Sequence, residues 1–178
     1  MERSVILRPP IRHLKSYYHI FQIFALNISA PFIAQFFKSQ LDEVLPHTDI
    51  LFGNESEAEV YAEAAGYPDK KDIPDIARRI AHSPKTNTSP RVVIFTQGAD
   101  STIVVSSDKP EAQKFPVEKL TDDQIVDTNG AGDAFAGGVL AALIAGKTLS
   151  EAVLVGHALS RASILQVCGP FRVHFMLP

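Results

Sequence analysis

The chain has 178 residues, of which 46% are hydrophobic, and its 17 basic and 20 acidic side chains leave a formal net charge of -3. This length and hydrophobic content predict one globular domain, because 10 Gly and 12 Pro are too few for a disordered or fibrous protein. The near balance of charge gives no field that favours nucleic acid or an anionic membrane. We therefore expect small molecules as partners.

A single cysteine, Cys168, excludes an intramolecular disulfide framework, and the spacing of His and Cys gives no zinc pattern. A reducing compartment suits such a chain, and we expect the cytoplasm, with the nucleus as a further location. Polar residues interrupt the moderately apolar stretch 17–37, so it is too broken for a membrane span. The basic residues before it leave an organellar presequence open.

The first elements in chain order are a strand and a helix. Residues 21–28 are rich in Ile and Phe, which indicates a strand buried on both faces. Ser29 then suits the N-cap position of a helix with Pro31 in its first turn. This helix is expected to run to about Leu45, where Pro46 stops it.

A second strand and two helices follow. Residues 49–52 predict a short buried strand, and Asn54 begins a helix over residues 55–65 that Gly66 ends. Apolar residues at helical spacing predict another helix over residues 73–81.

The second half begins with the clearest strand, residues 91–96, which turns at residues 97–100 into a returning strand over 102–105. The remaining elements are extended pieces at 115–117 and 125–126 and helices over about 131–145 and 149–165. Alternating strands and helices followed by a hairpin predict a layered α/β fold with a mainly parallel sheet. Ligands of such folds bind beyond the carboxyl ends of the strands.

The most informative motif is Asp-Thr-Asn-Gly-Ala-Gly-Asp at residues 127–133, directly before an apolar helix. Gly130 and Gly132 allow a tight turn, and the helix N-terminus after them points free N–H groups at an anion. Asp133 is placed to take a proton from a hydroxyl that attacks a phosphoryl group. The motif therefore indicates phosphoryl transfer to an alcohol.

Two other interpretations compete with this one. Asp133 is also a favourable first-turn acid, and the glycines could form only a turn. A dinucleotide fingerprint fits less well, because Phe135 occupies its third glycine position and no βαβ unit follows.

Asn54 and Glu57 form a second candidate pair at a helix start, where residues three apart face the same side. Taken alone, the pair fits a capping box, with Asn in place of Ser or Thr. A water-mediated cation site is the alternative, since a hard cation such as Mg²⁺ keeps several waters.

These residues carry a family resemblance. The motif at 127–133, followed by Ala-Phe-Ala-Gly-Gly, resembles the C-terminal signature of the PfkB (ribokinase-like) carbohydrate and nucleoside kinases. Within that family, four further segments resemble the adenosine kinases in the right order: residues 26–33, 49–57, 93–98 and 155–157. The resemblance covers about residues 23–165, which correspond to the C-terminal half of such a kinase.

The resemblance implies an ATP-dependent nucleoside kinase of ribokinase fold that converts ATP and adenosine to ADP and AMP in purine salvage. It implies that Asp133 is the catalytic base, and that Asn54 and Glu57 organise Mg²⁺ largely through water. The other implied roles are an anion hole at Gly130, Ala131 and Gly132, ATP contacts at Thr96, Gln97, Gly98 and His157, and substrate contacts at Asn129 and Phe32.

The domain organisation that follows is a divergent segment 1–20, a kinase domain 21–165 and a divergent tail 166–178. A related PfkB sugar kinase and a truncated nucleotide-binding fragment without catalysis stay open as alternatives. Full-length relatives are expected to be monomeric. A chain without the N-terminal half is expected to be incomplete as an enzyme and to self-associate, because its sheet edge is unpaired.

Overall fold

The structure is a computed structural model that describes residues 23–109 and 111–166. Its elements in chain order are β1 (Ala25–Asn27), α1 (Pro31–Phe36), α2 (Lys38–Val44), β2 (Ile50–Asn54), α3 (Glu55–Ala64), α4 (Ile73–Ala81), β3 (Val92–Gln97), β4 (Asp100–Ser106), β5 (Gln113–Phe115), α5 (Ala131–Ile144) and α6 (Leu149–Ile164). No helix in these ranges has the length and apolar character needed to cross a membrane.

The five strands form one sheet in the order β1-β2-β3-β4-β5. β1, β2 and β3 pair in parallel, whereas β4 runs antiparallel to both β3 and β5. Four of the five strands therefore point the same way, and the predicted α/β fold with a mainly parallel sheet is confirmed.

Side chains alternate between the two faces of the sheet, as the period of a strand requires. In β2, Leu51 packs into one buried cluster with α1 to α4, while Ile50 and Phe52 pack into another with α5 and α6. The same alternation places Val93 and Ile94 of β3 in opposite clusters. Two helical layers thus enclose the sheet, which explains why its central strands are apolar throughout.

The predicted helix after β1 is divided into two. The prediction that Ser29 caps it is wrong, because Ala30 is the N-cap residue and Ser29 has a φ of 70°. Phe37, at φ -121° and ψ 30°, is the C-cap of α1 and the N-cap of α2. Bulky aromatic side chains lose rotamer freedom in a helix, so the adjacent Phe36 and Phe37 are a weak point. Pro46 lies in a short 3₁₀ turn that follows α2.

The short strands of the second half also differ from the sequence expectation. β5 ends at Phe115, which lies opposite Thr102, because Pro116 has no N–H for a ladder bond. Ile125 and Val126 are in no strand of the described chain. The Val126 N–H instead donates to the carbonyl of Ile164 at 3.0 Å, so this segment is tied to the end of α6.

Arg91 directly precedes β3, at the opposite end of the strand from Thr96, and is fully buried. Its guanidinium donates hydrogen bonds to oxygens near the ends of helices and turns. The acceptors are the carbonyls of Leu45, Thr48, Ile80, Ser83 and Pro84 and the Ser83 hydroxyl, at 2.6–3.2 Å. Carbonyl dipoles thus stabilise a charge that burial alone would disfavour.

Candidate active site

Two adjoining cavities open where the parallel strands end. The larger, about 540 Å³, is called the polar cavity and is lined by Asn27, Ser29, Phe52, Gly53, Asn54, Glu55, Glu57, Thr96, Gly98, Gly130, Gly132, Asp133 and Phe135. The smaller, about 300 Å³, is called the apolar cavity, and its lining includes Val117, Leu120, Ile125, Thr102, His157 and Ile164. Thr96, Gly98, Gly132 and Phe135 line both.

The N-terminus of α5 lies at the wall between the cavities. Gly130 is its N-cap residue with a φ of 75°, a conformation that glycine adopts without strain. The first N–H groups of a helix have no partner within it, so Gly132 and Asp133 present donors at this wall. The Ala131 N–H makes a long bond of 3.3 Å to the carbonyl of Thr128. This end of α5 is therefore suited to bind an anion.

Asp133 lies in the first turn of α5, and its side chain is exposed and lines the polar cavity. An accessible carboxylate beside helix N–H donors can accept a proton from a hydroxyl in that cavity. The N–H donors of the α5 N-terminus and the Asp133 carboxylate thus lie at the same cavity wall.

Asn54 and Glu57 make the capping box that their spacing favours. The Asn54 Oδ1 accepts from the Glu57 N–H at 2.9 Å, and the two Glu57 carboxylate oxygens accept from the Asn54 N–H at 3.0 Å and from Nδ2 at 3.1 Å. Burial raises the pKa of Glu57. The hydrogen bond from the Asn54 N–H lowers it, but this effect is smaller than that of burial. Both residues also line the polar cavity, so the capping role does not remove them from it.

The absence of a side chain at Gly53, near the end of β2, leaves room for the Glu57 carboxylate. A Cβ at Gly53 would lie 3.0 Å from the Phe95 ring and 3.1 Å from the Glu57 carboxylate, closer than ordinary packing allows. A larger residue would push Glu57 away from Asn54.

His157, on α6, lies in the apolar cavity. Its Nε2 is 2.9 Å from the Thr102 hydroxyl, and its ring packs on Phe135 at 5.5 Å between centroids. Burial lowers the pKa of His157, which favours the neutral imidazole. His157 and Phe135, whose rings are tilted by 36° to each other, therefore form an uncharged aromatic wall suited to an aromatic ring.

Three of the expected site residues lie outside the lining of both cavities. The Gln97 Nε2 donates to the carbonyl of Ser101 at 2.5 Å, within its own hairpin. Asn129 is held in a turn by a bond from its N–H to the Asp127 carboxylate at 2.9 Å. Phe32 is 52% exposed on α1. The other expected residues line one or both cavities, with Ala131 and His157 in the apolar one.

Sequence reasoning did not identify Asn27 and Ser29, which also line the polar cavity. The Asn27 Oδ1 accepts from the Ser29 N–H at 3.1 Å, and the Ser29 hydroxyl donates to the Asn27 carbonyl at 3.2 Å. The available signal was positional, because Asn27 ends β1 as Asn54 ends β2. Capping preference predicts a helix cap at Ser29, whereas the structure has Ser29 in a turn with Asn27.

Comparison with protein families gives a match to "pfkB family carbohydrate kinase" over residues 12–168. This match covers most of the chain. The chain belongs to the pfkB family. The adenosine kinase of Schizophyllum commune is 52% identical over 151 residues, covering 84% of this pfkB chain and 44% of that enzyme.

Solved structures give the same result for this pfkB chain. An Anopheles gambiae adenosine kinase in complex with P1,P4-di(adenosine-5) tetraphosphate matches with a TM-score of 0.79 and 43% identity, covering 81% of this chain and 42% of that one. A Schistosoma mansoni adenosine kinase in complex with adenosine matches with a TM-score of 0.76 and 39% identity, covering 82% and 43%. The chain thus has the ribokinase-like fold that its sequence predicted, and it spans less than half the length of these relatives.

Proposed function

We propose that this chain carries the nucleotide side and the catalytic base of an adenosine kinase, which converts ATP and adenosine to ADP and AMP in purine salvage. The observation that carries the proposal is the N-terminus of α5, where Gly132 borders both cavities and Asp133 borders the polar one. An anion at this wall would lie between a nucleotide in one cavity and an alcohol in the other. That arrangement is what phosphoryl transfer requires.

The apolar cavity suits the base and ribose of ATP. Phe135 and His157 form an aromatic wall, and Thr96 and Gly98 lead from this cavity to the polar one. A nucleotide whose base packs on this wall would extend its phosphates toward the N–H groups of Gly130, Ala131 and Gly132. Gln97 is proposed to act on ATP indirectly, because its side chain holds the turn of the hairpin through the Ser101 carbonyl.

Asp133 accepts the proton of the attacking hydroxyl in this proposal, while the helix N–H groups stabilise charge that grows on the phosphoryl oxygens. Adenosine occupies the polar cavity. Asn129 and Phe32, which lie outside the lining of both cavities, are proposed as further substrate contacts.

The donor set of the polar cavity fits Mg²⁺ that arrives with ATP. Among residues 23–109 and 111–166, no three His, Cys, Asp or Glu side chains form a metal-binding group, so these residues by themselves supply no full cage. Mg²⁺ commonly keeps its waters and uses one or two carboxylates with substrate phosphates. Because both Glu57 oxygens already accept from Asn54, this pair would hold the ion through water. When bound, the ion neutralises phosphate charge.

The similar proteins support adenosine as the acceptor rather than a sugar. The relatives named above are adenosine kinases, and one is in complex with a molecule that has an adenosine at each end of a phosphate chain. Two adjoining cavities suit such a pair of nucleosides. We place the kinase domain at residues 21–165, and we place the activity in the cytoplasm, which the lone Cys168 favours.

Nucleotide binding by this chain tests the proposal, with the non-hydrolysable ATP analogue AMP-PNP and Mg²⁺ in a calorimetric titration. We expect weak binding, in the range of about 0.1 to 1 mM, because contacts are present but preorganisation by the rest of a kinase is absent. Gly132→Ala should weaken it about tenfold, because its methyl group would project into open space at this wall, where no protein atom lies within 4 Å and where the phosphates are proposed to bind.

Gly137→Ala is the matched control, because Gly137 is a glycine of the same helix with open space around it and it borders neither cavity. Equal affinities for the two variants would contradict the placement of the phosphates, and no heat from folded wild-type protein would contradict the proposal as a whole.

A further inference from the structure

Arg161, on α6, lines the apolar cavity together with two other charged residues, Glu118 and Lys119. Its Nε is buried and has no hydrogen-bond partner within the described chain. A buried N–H donor without an acceptor destabilises the state that contains it. Arg161 is therefore poorly satisfied where it lies.

The guanidinium has one carboxylate contact among the described residues. Its Nη2 lies 3.4 Å from Glu118 Oε1, at the long end of a hydrogen bond, and the Glu118 side chain is 75% exposed. Such a solvent-screened pair contributes little to stability. Glu118 thus holds Arg161 weakly, and a better acceptor in the cavity would displace it.

We propose that Arg161 is a specificity-determining residue of the apolar cavity, which exchanges Glu118 for a hydrogen-bond acceptor on the base or ribose of a bound purine nucleotide. This inference rests on the proposed function, because it needs a nucleotide in that cavity. A guanidinium is rigid and weakly hydrated, so it can lie against a base and donate to a ring nitrogen or hydroxyl. Apolar neighbours such as Ile125 and Ile164 would strengthen that bond by excluding water.

Glu118 and Arg161 should act in opposite directions. Arg161→Met keeps the aliphatic stem but removes every donor, so the affinity of the full chain for Mg²⁺ and AMP-PNP should fall about tenfold or more. Glu118→Gln weakens the competing contact and should raise that affinity about two- to threefold. A purely structural ion pair would not give an increase with Glu118→Gln.

Arg78→Met is the matched control, because Arg78 has a similar exposure and a similarly long contact, 3.6 Å to Asp75, on the opposite helical layer. Titrations with inorganic tripolyphosphate separate a base or ribose contact from a phosphate contact. We expect Arg161→Met to leave tripolyphosphate affinity unchanged, whereas an equal loss for both ligands would overturn the assignment.

Two failures remain distinguishable. If folded wild-type protein binds AMP-PNP and Arg161→Met binds it equally well, the inference about Arg161 is wrong and the proposed function stands. If the folded wild-type chain gives no binding, the proposed function fails and this inference fails with it. Thermal melts of each variant without ligand confirm that a loss of affinity is not a loss of fold.

Discussion

At the scale of single residues, Glu57 has two roles, and the burial that they require disfavours its charged form. It completes the capping box of α3 with Asn54, and it places a carboxylate at the polar cavity while only 4% exposed. Burial raises its pKa above the ordinary value of 4.5. The folded chain therefore stabilises the protonated form relative to the unfolded chain.

The pH dependence of the unfolding free energy of Glu57→Gln tests whether burial disfavours the Glu57 carboxylate. A raised carboxyl pKa contributes stability that is fully present below about pH 4.5 and is lost as pH rises through the folded pKa. The amide that replaces the carboxyl group stays neutral, so the unfolding free energy of the variant relative to wild type should increase from about pH 4.5 to pH 7. Urea denaturation across this range measures the difference.

Glu63→Gln, at a residue 68% exposed on the same helix, is the control for replacing a surface carboxylate, which here pairs with Lys70, by an amide. A Glu57→Gln difference that stays constant with pH would show that Glu57 is not penalised by burial.

Individual site residues were predictable where a local pattern fixes them. The Asn54 and Glu57 spacing gave the capping box, and the glycines at 130 and 132 gave the α5 N-terminus. Ser29 was not predictable, because its φ of 70° depends on bonds with Asn27 that short-range capping preference does not reveal. The placement of a side chain such as Gln97 likewise depends on tertiary contacts.

At the scale of elements, the crossing of α5 and α6 shapes both cavities. Gly138 and Gly156 meet at this crossing, where a Cβ on Gly138 would lie 3.0 Å from the Gly156 Cα. A Cβ on Gly156 would lie 2.9 Å from the Phe135 ring, which borders both cavities. Small residues here allow the close approach that positions Phe135.

Gly156→Ala should destabilise the chain by about 1–3 kcal/mol, because the methyl group overpacks against Phe135 and Val139. It should also weaken AMP-PNP binding, since Phe135 must move. Gly137→Ala, in open space on α5, should instead stabilise the chain by about 0.5–1 kcal/mol. Denaturant midpoints measure both changes in unfolding free energy. An unchanged midpoint for Gly156→Ala would mean that α5 and α6 can move apart without loss of stability.

Helices and strands were predictable to the extent that periodicity and breakers define them. β2, α4 and the hairpin of β3 and β4 lie where apolar patterns and turn residues indicated. The division of the first predicted helix at Phe37 was not predictable, because the helical pattern of the sequence continues through the break. Nor could the sequence show that Arg91 is buried, since its partners are backbone carbonyls far along the chain.

At the scale of the whole molecule, β1 is an edge of the sheet in the described chain. Large apolar side chains are exposed near it: Ile23, Phe24, Phe32, Phe36 and Phe37, at 46–71%. Unpaired edges beside apolar surface template association with other chains. Exposed apolar side chains beside a sheet edge suit contact with another polypeptide segment.

The isolated chain should therefore form oligomers at micromolar concentration, which size-exclusion chromatography with light scattering would detect. Phe24→Lys with Phe36→Lys should reduce the association, because a lysine next to β1 opposes strand addition and a lysine on α1 interrupts the exposed apolar surface. Leu154→Lys, on the exposed face of α6, is the control for a simple gain of charge. A monomeric wild-type chain that melts cooperatively would contradict this expectation.

Phosphoryl transfer by a reconstituted kinase tests whether Asp133 is the catalytic base. A chimera in which the N-terminal part of the Schizophyllum commune adenosine kinase precedes residues 23–178 of this chain should phosphorylate adenosine with ATP and Mg²⁺. Asp133→Asn should then lower turnover by about 10² to 10⁴ with nucleotide affinity preserved, because a general base is lost. Asp123→Asn, in an exposed turn, should not change it. Near-normal turnover in the Asp133→Asn chimera would show that Asp133 is only a first-turn acid of α5, and would contradict the account.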